Sequence, residues 1–225
     1  MKKFTLVFCV LCAQFALAQK TFIGLKAGGH TGSAYIDHTI FNIVNNNGLK
    51  GGPHGGLIIK YFPQKRETFL KSGVQFSVNY ARKGWTQIFL TNEATYSAEM
   101  SYIEIPVEAI GFFGKKNNYF ITAGFFFEHL FDYQLTPDPD LTNLGGQDFH
   151  TYRPSRDQEV GYGARASAGI FRNFSFGMVH LEGFFTYSIS NFIDPGDLTT
   201  DTPDLSNLWY TGISIGYLLP VGKKE

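Results

Sequence analysis

The chain has 225 residues, with 19 basic and 19 acidic side chains and a formal net charge of 0. This balance gives no basic surface of the kind that nucleic acid binding requires, so no nucleic acid partner is expected. Aromatic residues make up 16% of the chain, which also has 25 Gly. Such a composition is typical of an exported β-barrel, either soluble or embedded in a membrane.

A cleaved secretory signal peptide is predicted over residues 1–18. Two lysines precede an apolar run at residues 4–13, and Ala-Leu-Ala at 16–18 forms a small-x-small cleavage site. The run is too short for a membrane-spanning helix, which needs about 20 residues. Both cysteines lie in this leader, so the barrel domain predicted over residues 19–225 has no disulfide.

Eight stretches with strand character follow the leader, and no helical period is found among them. Several are 10–13 residues long, which suits a tilted strand that crosses a membrane in about 9–11 residues. The predicted strands cover residues 20–29, 53–62, 70–82, 98–113, 117–132, 158–170, 174–188 and 207–219.

The connections between these strands alternate between long and short. The long ones cover 30–52, 83–97, 133–157 and 189–206, and the short ones cover 63–69, 114–116 and 171–173. Outer-membrane barrels have long external loops and short periplasmic turns, whereas soluble barrels have no reason to alternate. The sequence therefore predicts an all-β fold, an eight-stranded antiparallel up-and-down transmembrane β-barrel in the cell outer membrane.

The two faces of each predicted strand differ in polarity. In the last strand, Ile213 and Ile215 alternate with Gly212, Ser214 and Gly216. In a membrane barrel the apolar face meets lipid and the polar face lines the interior. We therefore expect arginine to be poorly tolerated at Ile213 and serine to be tolerated better at Gly216. A soluble exported barrel that binds a small apolar ligand would have these faces inverted, and this alternative stays open from the sequence.

Aromatic residues recur near both ends of the apolar faces, where rings would meet lipid headgroups. The predicted interfacial girdle consists of Tyr61, Phe113, Tyr119 and Tyr217 at the turn end and Tyr80, Phe131, Tyr187 and Trp209 at the loop end.

Charged residues on the polar faces are balanced in number, which suits an enclosed interior, because an unpaired buried charge costs several kcal/mol. We expect a plugged lumen with an internal ion-pair network, in which Arg165 lies opposite His180 and diagonal to Glu182. Pro106 removes a ladder donor and predicts a bulge or a break in pairing. The predicted network consists of Lys26, Lys60, Lys71, Glu104, Glu108, Glu128, Arg165, His180 and Glu182.

The sequence favours a structural role for these residues over a catalytic one. Glu104 and Glu108 could form an acid/base pair, and His180, Glu182 and Ser188 have the residue types of an outer-membrane lipid-modifying enzyme. The His-x-Ser-Asn pattern of lipid deacylases is absent, so no catalytic residue is predicted. The six His are scattered without metal-ligand spacing, and no metal or cofactor is expected.

The segment "MSYIEIPVEAIGFFGKKNNYFITAGFFFEHLF" (100–131) resembles the central hairpin of the PorT-like outer-membrane β-barrel family, with its "YxEIP" strand. The opening "FIGLKAGG" (22–29) and the closing "GISIGYLLP" (212–220) are also similar. The resemblance implies an eight-stranded outer-membrane barrel with a structural or interaction role. Some members of the family act in type IX protein secretion and gliding. The expected partners are outer-membrane lipid and an envelope or secretion-system protein.

Overall fold

A computed structural model describes residues 20–38, 45–63, 69–89, 95–137, 151–196 and 202–221. The predicted signal peptide lies outside these residues. No helix among them is long and apolar enough to cross a membrane. The strands are β1 (Lys20–Asp37), β2 (Asn45–Phe62), β3 (Lys71–Phe89), β4 (Thr95–Gly114), β5 (Asn118–Thr136), β6 (Val160–Phe174), β7 (Gly177–Ser188) and β8 (Leu205–Val221).

Each strand pairs in antiparallel fashion with its neighbours in sequence, and β8 closes the ring by pairing with β1. The predicted eight-stranded up-and-down barrel is therefore confirmed. Closure leaves no strand edge unpaired, which is what a lipid environment demands of a sheet. We call the end that carries the β4–β5 and β6–β7 turns the turn end, and the opposite end the loop end.

The strands continue further toward the loop end than predicted. β1 runs to Asp37 and β2 begins at Asn45, so most of the predicted loop 30–52 belongs to strands. The predicted loop 83–97 is wrong in the same way, because β3 runs to Phe89 and β4 begins at Thr95. In residues 30–52 several glycines hide the extension, since the backbone ladder needs no particular side chain.

The turn between β6 and β7 begins four residues later than predicted. β6 continues through Phe174, and the turn consists of Ser175 and Phe176. Gly177 follows with φ of 152°, a conformation that glycine adopts without steric cost. The predicted turn at residues 171–173 is therefore wrong.

The polarity of the strand faces has the predicted orientation. Leu25 and Ile213 are 65% and 63% exposed on the outer face, whereas the neighbouring Lys26 and Ser214 are buried inside. The inverted arrangement of a soluble apolar-ligand barrel is wrong, because it would place the first pair inside. The outer face instead presents aliphatic and aromatic side chains to the membrane.

Pairing between β3 and β4 is interrupted where Ser77 and Val78 face Pro106 and Ile105, and the register is unchanged on either side. The break predicted at Pro106 is thus present. Register shifts occur elsewhere, between Leu49 and His54 in the β2–β3 pair and at Ser101/Tyr102 in the β4–β5 pair.

The interior is layered along the barrel axis. The inward positions of β4 show this order from the turn end, with Ile110, then Glu108 and Glu104, then Met100. Ile110 belongs to the turn-end cluster of Phe22, Ile58, Phe62, Ile110, Phe120, Phe171, Met178 and Leu218. Met100 belongs to the loop-end cluster of Ala34, Ile36, Trp85, Tyr96, Ala98, Met100, Tyr102, Leu130, Tyr152, Phe192, Ile193 and Leu208.

Candidate functional site in the barrel lumen

Glu182 is the centre of the lower charged group, next to the turn-end cluster. Its Oε1 atom accepts hydrogen bonds from Lys26 Nζ at 3.2 Å, Arg165 Nη2 at 3.2 Å and Ser214 Oγ at 2.8 Å. The Glu182 side chain is fully buried. A buried carboxylate with two cations and a hydroxyl is well compensated for the loss of water.

Arg165 connects Glu182 to a second carboxylate. Its Nε atom lies 3.6 Å from Glu108 Oε1, and its guanidinium lies over the Phe184 ring at 4.1 Å from the centroid. Glu108 also accepts hydrogen bonds from Gln75 Nε2 at 2.8 Å and Thr122 Oγ1 at 2.6 Å. These contacts join five strands of the ring through side chains alone.

Lys83 is the centre of the upper charged group, next to the loop-end cluster. Its Nζ atom lies 2.6 Å from Glu104 Oε1 and also forms an ion pair with Glu128. Tyr210 donates its hydroxyl to Glu104 at 2.6 Å, and Ser188 donates to Glu128 at 2.9 Å. Each carboxylate therefore has one neutral donor in addition to the shared ammonium group.

Lys83 was missing from the predicted network because the predicted strand ended at residue 82. The inward positions of β3 alternate from Gln75 through Asn79 to Lys83, so extending the period by one step identifies it. Its ammonium group also lies 4.7 Å from the ring centroids of Tyr102 and Tyr210, where cation–π attraction adds to the ion pairs.

Two lysines of the predicted network form no ion pair among the described residues. Lys60 is fully buried in the turn-end cluster, where its Nζ atom lies 4.2 Å from the Phe120 ring centroid and has no hydrogen-bond partner in the described part of the chain. Lys71 lies at the turn-end rim, 5.9 Å from the Phe112 ring centroid. The alternation of β2 and β3 assigns both to the inner face but gives no depth along the axis.

The predicted facing of Arg165 and His180 is wrong. Arg165 is opposite Thr186, and His180 is opposite Phe171, because the β6–β7 turn is displaced. Arg165 reaches Glu182 by the length of its side chain. His180 packs on Gly216, where an added Cβ would lie 2.6 Å from His180 Nε2. Serine at Gly216 would have to displace this ring, and its better tolerance relative to arginine at Ile213 stays a prediction.

The residue types of a hydrolase are not assembled at His180. Ser188 lies at the loop-side end of β7 and donates to Glu128, whereas His180 lies near the turn end. Both ring nitrogens of His180 have no hydrogen-bond partner among the described residues. Ser188 and His180 therefore lie toward opposite ends of β7, whereas a hydrolase needs its nucleophile and its base within hydrogen-bond reach.

Two further buried histidines, His30 and His54, lie between the charged groups. Neither belongs to the predicted network. The rings of His30 and His54 are 5.8 Å apart, His30 packs on Tyr210 at 4.8 Å, and His54 packs on Phe184 at 4.7 Å. The inward period of β1 would have identified His30 if the strand had been extended by one residue past 29.

The predicted girdle residues lie on the outer face at two levels. Phe113 and Tyr119 contact each other at the turn end with ring centroids 5.7 Å apart, and Tyr80 contacts Phe131 at the loop end at 6.0 Å. Exposed rings are those of Tyr80, Phe113, Tyr119, Phe131, Tyr187 and Tyr217, and half-buried rings are those of Tyr61 and Trp209.

A cap of loop residues closes over the loop-end cluster. The Asp157 carboxylate accepts from the backbone N–H of Arg153 at 2.6 Å and of Asp194 at 3.1 Å, and from Arg156 Nε at 2.6 Å. Asp157 thus joins the segment before β6 to the segment after β7. Burial raises the pKa of the nearby Tyr152 hydroxyl, because the phenolate form would lose its hydration in the cluster.

Comparison with known families gives the identity of the fold. Residues 13–194 match the family model of the outer membrane protein beta-barrel domain. The chain belongs to this family. The barrel is therefore an outer-membrane protein, as its exposed apolar face requires. A search of curated proteins gives no significant match.

Solved structures similar to this outer-membrane barrel are distant from it in sequence. They include OprG from Pseudomonas aeruginosa, with 10% identity, TM-score 0.49 and coverage of 90% of this chain and 97% of that chain. Neisserial surface protein A has 14% identity, TM-score 0.43 and coverage of 87% and 96%. Ail of Yersinia pestis has 10% identity, TM-score 0.41 and coverage of 89% and 100%.

Proposed function

We propose that this outer membrane β-barrel has a plugged lumen and serves a structural or interaction role rather than conducting solutes. The observation that carries the proposal is the layered interior, in which the Glu182 and Lys83 groups lie between the turn-end and loop-end clusters. A solute would have to displace both apolar clusters and separate buried ion pairs, each of which is costly to break. The interior of an eight-stranded barrel is just wide enough for side chains.

Single cysteines test the closed lumen directly, since both native cysteines lie in the predicted leader. Ser214→Cys places a thiol beside Glu182, where the native side chain is 1% exposed. The matched controls are Asn117→Cys in the β4–β5 turn and Thr95→Cys at the start of β4, both exposed. In detergent micelles, where the reagent reaches both ends of the barrel, a hydrophilic maleimide should label both controls and leave Ser214→Cys unlabelled until the barrel is unfolded.

Conductance across a planar bilayer gives a second readout of the same proposal. The wild-type barrel should leave the conductance of the bare bilayer unchanged. Discrete conductance steps, or labelling of Ser214→Cys as fast as Asn117→Cys, would show that solutes enter the lumen and that the closed barrel is wrong.

We also propose that the protein belongs to the PorT-like branch and supports protein secretion through a partner in the envelope. The support is the resemblance of the "YIEIP" strand of β4 and of the opening and closing strands to that family. Crosslinking through Asn117→Cys at the turn end and Thr95→Cys at the loop end, followed by identification of the captured proteins, tests this link. Unchanged secretion in a strain that lacks the barrel would contradict it.

We propose further that the protein is not an enzyme. The support is the separation of Ser188 from His180 and the burial of His180 against Gly216. Incubation of the barrel with outer-membrane lipids should leave their acyl chains intact. Deacylation that is lost in His180→Ala would overturn this proposal.

A further inference from the structure

The described part of the turn end carries an unbalanced positive charge. Outside the lumen, the described residues at this end include five cations and no carboxylate. The described carboxylates outside the lumen lie toward the loop end, among them Glu99, Asp132 and Asp194. The turn-end cations are Lys20, Lys71, Lys115, Lys116 and Arg172.

Arg172 differs from the other four cations because it is on the membrane-facing side of its strand. The outward positions of β6 alternate through Tyr162 and Ile170 to Arg172, which is opposite Val179 of β7. No carboxylate or other hydrogen-bond acceptor pairs with its guanidinium among the described residues. An arginine on the outer face of a membrane barrel is favourable only where the guanidinium reaches the headgroup layer.

Arg82 is the corresponding arginine at the loop end, and its environment is different. It also faces outward, two residues beyond the girdle residue Tyr80, but its Nη2 atom lies 2.5 Å from Glu99 Oε2. Lys50 Nζ lies 2.7 Å from the other oxygen of Glu99. The described residues therefore supply a counter-charge for Arg82 and none for Arg172.

A row of aromatic rings begins beside Arg172 at the depth of the turn-end girdle. Its guanidinium carbon lies 5.0 Å from the Phe174 ring centroid, and Phe174 stacks on Phe176 at 5.0 Å with an interplanar angle of 11°. Tyr217 of β8 continues this row, because its hydroxyl donates to the Phe176 carbonyl at 2.7 Å. These three rings, which we call the aromatic platform, give a lipid headgroup a fixed apolar surface beside a cation.

We propose that Arg172 and the aromatic platform bind the headgroup phosphate of an anionic phospholipid in the leaflet at the turn end. The planar guanidinium donates two parallel hydrogen bonds to a phosphate, and the platform contacts the glycerol backbone and upper acyl chains. Arg172 and the four lysines at the rim together favour a headgroup with net negative charge over a zwitterionic one, because the ammonium group of a zwitterionic lipid already compensates its phosphate. The site is on the outer surface, so it is independent of whether the lumen is closed.

Native mass spectrometry of the detergent-purified barrel tests this site with phosphatidylglycerol and phosphatidylethanolamine of identical acyl chains. The wild type should bind phosphatidylglycerol more tightly than phosphatidylethanolamine. Arg172→Gln should weaken phosphatidylglycerol binding about fivefold and change phosphatidylethanolamine binding by less than about twofold. Arg172→Lys keeps the charge and should retain part of the preference.

Arg82→Gln is the matched control, because it removes an outward arginine that already has a carboxylate partner. It should leave the affinity for both lipids unchanged, and all variants should keep the heat-modifiable gel mobility of a folded barrel. The proposal is overturned if Arg172→Gln binds phosphatidylglycerol as the wild type does, or if it loses both lipids equally. Displacement of the lipid by inorganic phosphate at equal concentration would indicate a free-anion site and would also overturn it.

Discussion

Ile213→Arg tests the orientation of the barrel faces most directly. Ile213 is 63% exposed on the outer face of β8, midway along the strand between the girdle residues Trp209 and Tyr217. Its strand partners are Gly29 of β1 and Gly183 of β7, so no side chain directly across the ladder loses a contact. The effect of the substitution is therefore dominated by transfer of the new side chain into the membrane.

The expected loss depends on depth. Arginine at the membrane midplane should lower the free energy of unfolding by about 2–4 kcal/mol, and arginine near an interface by about 0–1 kcal/mol. Leu219→Arg is the matched control, because Leu219 is also outward, 52% exposed, and two residues beyond Tyr217 toward the turn end. Ile213→Ala separates the loss of the apolar side chain from the addition of the charge.

Urea unfolding of the barrel in phospholipid vesicles provides the measurement. Trp209 is one of only two Trp in the chain and lies on the outer face, so its fluorescence reports contact with lipid. Ile213→Arg should unfold at clearly lower urea concentration than the wild type, and Leu219→Arg should unfold close to it. Equal losses at the two positions, or none at Ile213, would refute the membrane orientation.

Three further substitutions test the interior, and a fourth, Gly183→Ala on the outer face, is the control for the third. Glu182→Gln leaves Lys26 without its carboxylate and Arg165 with only the more distant Glu108, and should lower the free energy of unfolding by about 3–5 kcal/mol in the same assay. Trp85→Ala creates a cavity in the loop-end cluster and should cost about 3–5 kcal/mol, with a matching fall in the unfolding midpoint. Gly216→Ala forces its Cβ against the His180 ring and should cost about 1–3 kcal/mol. Gly183→Ala, whose Cβ would meet nothing closer than 3.9 Å, should leave stability nearly unchanged.

Strand number, closure and face polarity could be predicted because they follow from a period of two along each strand. The alternation of Ile213 and Ile215 with Ser214 and Gly216 needs no knowledge of the neighbouring strands. Lys83 is absent from the predicted network for a local reason, because the predicted third strand ends at residue 82 and β3 continues beyond it.

Depth and register could not be predicted from the period alone. Lys60 and Lys26 both point inward, but only the register of β2 against its neighbours shows that Lys60 lies among phenylalanine rings. The loop-end cap could not be predicted from the sequence for another reason. Tyr152 and Phe192 come from segments far apart in sequence, and their packing on Trp85 and Met100 depends on closure of the whole ring.

The layered order of side chains along β4 has a consequence for assembly. A strand that slips by two residues keeps every side chain on its proper face, so polarity in and out cannot detect the error. In this barrel such a slip of β4 would place Ile110 at the level of Glu108, where Gln75 and Thr122 would lose their carboxylate acceptor. The change from apolar to charged and back to apolar side chains along the barrel axis thus favours the correct strand register over registers shifted by two residues.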